Sequence, residues 1–366
     1  MIDVLCVTTK LGFGGVQNFL ITLAEPLLKE GIRLNFAVQT RETQKFDSYV
    51  ENLGCKIFRI TPLGESKIRF MKDIRKVLRN NPQIQIIHSH QNFANAYSLL
   101  AASGLVKRIS HSHSQYEASS IWNRLIKFLF KCFLPLLAEK YWGCSEKSNR
   151  WLYGRRAKSK NCLVIKNTID CRKFKFNAER RKVIRNELHI GDEKIWIHIG
   201  TFSHAKNHEF LLKMFGQSLQ QNPNQRLILC GDGLERENIE QQIKELGIGN
   251  KVIMPGNVSN TYDYLSAADR FVFPSLYEGF PISVVEAQAN GIPCIVSTAV
   301  PESCAINPNV IRVDNLDISQ WLDGIARTDK MTMKREEGVV NIANAGFSID
   351  VEAPLLAKAY KELIKT

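Results

Sequence analysis

The chain has 366 residues, of which 44% are hydrophobic and 23% charged; this excludes a disordered or fibrous protein and leaves room for two domains, each with its own core. Nine cysteines lie scattered without a C-x-x-C pair or metal-ligand spacing, which excludes a disulfide framework and points to a reducing compartment. The net charge of +13 is lopsided: residues 1–180 hold 30 Lys/Arg against 13 Asp/Glu, and the remainder comes to −4. A basic half suits anionic lipid, an anionic substrate or nucleic acid. Nucleic acid is the weakest of the three, because no zinc spacing, RNA-binding aromatic signature or basic heptad accompanies the charge.

In chain order, short β-branched runs alternate with amphipathic ones, the pattern of parallel sheets wrapped by helices. Ile2–Thr8 reads as a strand and not as a secretion signal, so the expected location is the cytoplasm. A Gly-rich turn (Gly12, Gly14, Gly15) and a helix over Val16–Glu30 follow, then strands at Arg33–Gln39, Ile84–Ile87, Arg108–Ser110 and Leu163–Ile165. The strands at 84–87 and 108–110 lead into the histidine pairs His88/His90 and His111/His113. Basic, apolar-poor sequence around residues 170–190 reads as a linker. A second cycle has strands at Ile195–Ile199, Leu227–Cys230, Val252–Met254, Phe271–Phe273 and Cys294–Ser297, with helices at Glu209–Leu219, Glu235–Leu246 and Ile282–Asn290. Residues 299–350 give no clear pattern, and Val351–Ile364 reads as an amphipathic helix crossing back to the first domain. The expected fold class is thus α/β with two Rossmann-like doubly wound domains, residues 1–175 and 176–350, and a C-terminal helix over 351–366. Such sheets bind ligands at the carboxyl ends of their strands.

The segment Pro274–Ala287 carries the strongest chemistry. A strand ends at Phe273, a loop holds Glu278 and Gly279, and Pro281 stands at the start of a helix that Gly291 stops. The free N–H groups and dipole of such a helix start suit a phosphate. Glu278 and Glu286 flank that position, where two carboxylates make sense as acceptors for hydroxyls at the two ends of a phosphate-linked ligand. Taken singly they read more blandly, as a loop charge and a solvated helix face. The apolar neighbours Val284, Val285 and Ala287 argue for burial of Glu286, where an unpaired carboxylate is costly.

The run E-G-F-P-x-x-x-x-E-A-x-A-x-G-x-P resembles that of the retaining glycosyltransferases of family four, which have the GT-B architecture of two Rossmann-like domains facing across a cleft. The resemblance continues through Gly231–Leu234 (G-D-G-L), Lys251–Val258 (K-V-I-M-P-G-N-V) and Tyr264–Asp269 (Y-L-S-A-A-D). The first half is similar to bacterial enzymes of capsule and exopolysaccharide synthesis, through G-G-V-Q-N-F, I-I-H-S-H, R-I-S-H-S-H-S, Y-W-G-C-S-E and V-I-K-N-T-I-D. It implies a metal-independent hexosyltransferase without a cofactor, which takes a nucleotide-sugar donor, UDP first, and a glycan or lipid-linked acceptor held by the N-terminal domain. By the same resemblance Glu278 meets the donor sugar, beside the N–H groups of Gly279 and Phe280, and Glu286 accepts from the ribose. Lys206 neutralises the diphosphate, Gly14 and Gly15 admit it closely, and Asn257 and Val258 meet the base. His111 or His113 touches the donor sugar; the sequence does not choose between them.

One departure stands out: Thr201 follows Gly200 where the family commonly has Arg, so a bidentate guanidinium for the diphosphate is missing. The paired histidines suggest a metal, but no thiol or carboxylate completes a ligand set in the sequence, and none is expected. Glu117 is a lesser site candidate. Gln17 stands where a dinucleotide fingerprint needs glycine, no P-loop is present, and no Asp-x-Asp ends a strand. Ile121–Ala138, with Trp122, Phe128, Phe130 and Phe133 among Arg124, Lys127 and Lys131, is too charged to span a membrane. It suits an interfacial helix on an anionic inner membrane face, or equally a core helix with a basic outer face. The alternatives to a transferase are a nucleotide-sugar epimerase of similar fold and a non-catalytic nucleotide-sugar- or membrane-binding protein.

Overall fold

The computed structural model describes residues 1–12, 14–113, 133–134, 136–314 and 316–365. It divides into two compact units, Met1–Thr168 with Ile349–Thr366, and Ile169–Ser348. Glu117 and most of Ile121–Ala138 lie outside the described residues. Among the described residues no helix is long and apolar enough to cross a membrane.

The first unit is built on seven parallel strands: β1 (Ile2–Thr8), β2 (Ile32–Val38), β3 (Ile57–Arg59), β4 (Ile84–Ser89), β5 (Lys107–Ser112), β6 (Lys140–Gly143) and β7 (Cys162–Val164). Their order is β3-β2-β1-β4-β5-β6-β7, so the chain reverses direction across the sheet between β1 and β4. The alternation of a strand sends Val4, Cys6, Leu34, Phe36, Ile86 and Ile109 to one face, and Leu5, Val7, Ala37 and Ile87 to the other. Both faces are buried, which is why these strands read as continuous apolar runs. The helix Gly15–Lys29 covers the first face with Leu20, Leu23 and Leu27. Beside it lies the C-terminal helix Ile349–Lys365, whose Ala353, Leu356, Ala357, Tyr360 and Leu363 complete that core. The chain's last helix therefore belongs to the unit where the chain begins.

The second unit repeats the plan with β8 (Lys194–Ile199), β9 (Gln225–Cys230), β10 (Val252–Gly256), β11 (Arg270–Phe273), β12 (Cys294–Ser297) and β13 (Val310–Val313). The order β10-β9-β8-β11-β12-β13 again reverses beside the first strand of the unit, between β8 and β11. Ile195, Ile197, Phe271 and Phe273 pack under the helix Ile282–Ala289, while Trp196, Leu229 and Ile295 pack under the helices His208–Gln221 and Ile318–Thr328.

The division between the units falls at residues 168/169 and 348/349, a few residues before the boundaries expected near 175 and 350. Residues 170–190 are not a free linker. They hold the helices Cys171–Phe174 and Ala178–Glu187, and their basic charge has a use within the second unit. Arg181 donates to the carbonyls of Ser266, Ala267 and Ala268 and pairs with Asp269 at 2.7 Å. Arg185 adds Ala267, Gly191 and Glu193. These guanidiniums satisfy the open carbonyls at the end of the helix Thr261–Ala267.

Candidate active site

In the second unit, loops leave the carboxyl ends of four neighbouring strands. The two beside the topological switch point, after β8 and after β11, carry the charges. After β8 the chain passes Gly200 and Thr201, makes a short 3₁₀ turn at His204–Lys206, and enters the helix His208–Gln221 through Asn207 in the left-handed region. Gly231, after β9, lies at φ +151, and a side chain there would strike the carbonyl of Gly200. Backbone bonds from Gly200 N–H to the Cys230 carbonyl (3.0 Å) and from Phe202 N–H to the Asp232 carbonyl (2.9 Å) lock the two loops together. The third loop is tied in by Leu276, whose N–H donates to the Ala205 carbonyl at 2.8 Å.

This stacking brings Lys206 and Glu278 into a pair. Nζ lies 2.5 Å from Oε1, with the two side chains 17% and 10% exposed, and Nζ stands 4.6 Å from the centre of the Phe273 ring. A close, poorly hydrated pair on an aromatic face is poised to exchange partners when an anion arrives. The helix Ile282–Ala289 starts behind it, with Pro281 at its cap and no side chain capping its first turn. The Val284 N–H turns back to the Pro281 carbonyl at 3.1 Å, which leaves the first-turn N–H groups of Ile282 and Ser283 to face a ligand. Pro281 sits one residue before the helix proper.

Glu286 is half-buried on that helix. Desolvation pushes its carboxyl up to about 7, and among the described residues no cation or donor opposes this. Gly279 and Phe280 lie in the loop between the two acids, Phe280 with its ring stacked on Phe347 at 5.4 Å. Asn257 is exposed just beyond β10, and Val258 packs partly into the core. Thr201 is exposed. Two groups not anticipated from the sequence lie under these loops. His198 stacks on Phe273 and donates from Nδ1 to the Val272 carbonyl at 2.9 Å, while His208 meets His198 edge-on at 4.8 Å. Burial, each other and Lys206 hold His198 well below its ordinary range; burial and Lys206 bring His208 down to about 4. Both are neutral, so neither replaces the missing Arg as a fixed charge. The histidine inside the apolar run I-W-I-H-I was the one signal for this pair.

In the first unit, Gly14 caps the helix Gly15–Lys29 at φ +154, and a side chain there would meet Gln17. Gln17 is buried against Thr8 and Thr9. Gly15 has open space where a Cβ would stand, so the fold itself does not demand glycine there. His111 is fully buried within β5, and His113 lies just past its end, 9% exposed. Both join His88 and His90 in one stack, and Cys6 of β1 comes near His88 and His90. The sequence showed no thiol completing such a set, because Cys6 is remote in the chain and adjacent only across the β1–β4 pairing. Burial lowers all four imidazoles, helped by repulsion from neighbouring rings at His88, His90 and His111.

Two family models match the chain in succession: Glycosyltransferase Family 4 over residues 13–173, and Glycosyl transferases group 1 over residues 179–336. EpsF of Bacillus subtilis (strain 168), described as a glycosyltransferase, is 26% identical over 98% of this chain and 96% of its own. CapH of Staphylococcus aureus, a capsular polysaccharide biosynthesis glycosyltransferase, is 24% identical, with 84% of each chain covered. Among solved structures, Anabaena HepE in complex with UDP superposes with a TM-score of 0.80 at 19% identity, covering 99% of this chain and 100% of that one. Its two Rossmann-like units, the charged loops at the switch point and these matches along both halves place the chain in glycosyltransferase family four, with the GT-B fold.

Proposed function

We propose that the enzyme moves a sugar from a UDP-sugar to a hydroxyl of a glycan or lipid-linked acceptor, with retention at the anomeric carbon and without a metal ion or cofactor, in the building of a bacterial surface polysaccharide. The observation that carries this reading is the Lys206–Glu278 pair beside the uncapped start of the helix Ile282–Ala289. An incoming diphosphate takes Lys206 and the helix N–H groups, and so releases Glu278 to accept from a sugar hydroxyl. Gly279 and Phe280 offer backbone N–H groups there, Asn257 and Val258 border the base, and Glu286 accepts from the ribose. Lys206 and the helix start carry the charge that a metal would otherwise neutralise. The acceptor oxygen bonds to the anomeric carbon on the face from which the leaving group departs. The carbon–oxygen bond to the phosphate breaks, and the acceptor proton passes to the departing phosphate oxygen.

The first unit is assigned to the acceptor. Its +17 balance supports contact with an anionic membrane on the cytoplasmic side, without nucleic acid as a partner. HepE was solved with UDP, and CapH is named for capsular polysaccharide; both support the choice of donor and pathway class. Thr201, exposed where the family has Arg, favours a second reading in which the chain binds donor and turns nothing over.

Thermal unfolding with a panel of nucleotides in EDTA, on the native chain and on Glu286→Ala, tests the donor site. A ligand at 100 times its Kd stabilises by about 2.7 kcal/mol. A UDP shift that the variant lacks supports the reading, and no shift with any nucleotide overturns it. Product analysis with acceptor then separates transfer from silent binding, and analysis without acceptor detects epimerisation.

A further inference from the structure

His198 and Lys206 of the second unit hold complementary unmet hydrogen-bonding groups on either side of Gly200. His198 is fully buried within β8. Its Nδ1 lies 2.9 Å from the Val272 carbonyl, which can only accept, so Nδ1 carries the hydrogen. The neutral ring is left with a lone pair on Nε2, and that atom has no partner among the described residues. Phe273, nearly parallel at 5.2 Å, and His208, edge-on at 4.8 Å, fix the ring and so the direction of the lone pair.

Lys206 is the converse case. An ammonium has three hydrogens to give. Among the described residues its Nζ has one hydrogen-bond acceptor, Glu278 Oε1, besides the face of the Phe273 ring. Gly200 brings the spare lone pair and the spare hydrogens near each other. A Cβ built there would stand 3.2 Å from His198 Nε2, 3.3 Å from Lys206 Cε and 3.5 Å from Lys206 Cδ. The lone pair and the lysine stem therefore flank one point, and only the absence of a side chain at Gly200 leaves the way between them clear. Nζ is one bond beyond Cε, and a turn about Cδ–Cε swings it while the stem stays in place.

We propose that His198 is a positioning residue for Lys206: when the ammonium leaves Glu278 it donates to His198 Nε2, and this bond aims its remaining hydrogens at the donor diphosphate. The proposal rests on the reading above that Lys206 neutralises that diphosphate. Thr201 is uncharged where the family has Arg, so binding depends the more on where this ammonium points. A neutral ring suits the task. A carboxylate in its place would compete with the phosphate for the ammonium, and an imidazolium would repel it. Burial, His208 and Lys206 itself keep His198 in the neutral form.

The test uses the full chain in EDTA. Imidazole ¹⁵N NMR reads whether the His198 Nε2 lone pair accepts a hydrogen bond, and calorimetry reads UDP affinity. Two perturbations free the ammonium: saturating UDP on the native chain, and Glu278→Leu without ligand. The His198 Nε2 signal should move upfield in both, and in neither once Lys206→Met is added. His198→Phe, which keeps the stack on Phe273 but has no lone pair, should weaken UDP binding about tenfold, the value of one hydrogen bond to a charged group. Should that variant not fold, the NMR of the native chain and of Glu278→Leu decides alone. Failure of UDP to bind the native chain sinks the donor reading, while Glu278→Leu still decides for or against His198. A signal that stays in place in Glu278→Leu or under bound UDP, a shift that survives Lys206→Met, or hydrogen on Nε2 in place of Nδ1 overturns the proposal.

Discussion

Glu286→Gln should make the free protein more stable above pH 7 while weakening its hold on UDP. The carboxyl sits at about 7 against an ordinary 4.5, through desolvation alone. Carrying an acid over that interval corresponds to about 3.4 kcal/mol, at about 1.36 kcal/mol per pH unit. The side chain is only half-buried, and water at its open edge reduces this to about 1–2 kcal/mol. The sign follows from the folded state's preference for the proton. Below pH 4.5 the acid is protonated whether folded or not, and carries no penalty; between 4.5 and 7 the penalty grows, and above 7 it is complete. Urea unfolding at pH 8 should therefore show Glu286→Gln ahead by about 1–2 kcal/mol, with the gain fading towards pH 4.5. The UDP-induced thermal shift should shrink in the same variant, because an amide accepts from two ribose hydroxyls less well than a carboxylate. A variant less stable at pH 8, or one whose gain persists in acid, refutes the argument that this acid is held unsatisfied for a ligand.

Three further outcomes follow from contacts already described. Lys206→Met leaves the 10%-exposed Glu278 without its counter-ion and should cost about 3 kcal/mol in denaturant unfolding; adding Glu278→Gln should restore most of it. Gly15→Ala should change stability by less than about 0.5 kcal/mol, since the new methyl meets nothing, whereas Gly14→Ala should cost about 2 kcal/mol or more through its φ and the clash with Gln17. If Gly15→Ala folds well yet loses donor affinity by calorimetry, glycine is required there by the ligand. Arg335→Ala should cost about 3 kcal/mol, because that guanidinium donates to the carbonyls of Leu265, Ala268 and Asn290.

Much of the fold was legible because both sheets are buried on both faces, so that their central strands appear as uninterrupted apolar runs. The strands missed were edge or near-edge pieces too short or too polar to stand out: Ile57–Arg59, Lys140–Gly143 and Val310–Val313. The basic stretch at 170–190 looked like a linker because its arginines serve carbonyls some 80 residues later, a use that no local pattern records. Residues 299–350 were opaque for the same reason, since Arg335 works on Leu265, Ala268 and Asn290. The site divides likewise. Glu278, Glu286 and the helix start between them share one strand–loop–helix and could be read together. The resemblance placed Lys206 on the diphosphate and Glu278 on the sugar; that the two side chains meet, across 72 residues, needed the β8–β11 adjacency to be seen. Tyr360 gave no signal at all. On the apolar face of a C-terminal helix a tyrosine reads as packing, and the 2.6 Å contact of its hydroxyl with His88 Nδ1 is visible only in the fold.

The histidines give the two units different responses to acid. His88, His90, His111 and His113 are held neutral in the fold, His113 down to about 3, while an unfolded histidine titrates near 6.5. A base whose folded pKa is lowered is stable above the unfolded value and loses stability as pH falls below it. Each such group forfeits up to about 1.4 kcal/mol per pH unit between its unfolded and its folded pKa. The second unit has only two such groups, His198 and His208; each unit also holds one acid that runs the other way, Glu352 in the first and Glu286 in the second, both raised to about 7. With four such histidines against two, the first unit should unfold first on acidification. Hydrogen exchange followed by mass spectrometry should show β4 and β5 losing protection before β8 and β11. Equal loss in both units, or a first unit still protected at pH 4, would mean that the stack takes up protons within the fold, and the argument from buried neutral histidines would fail.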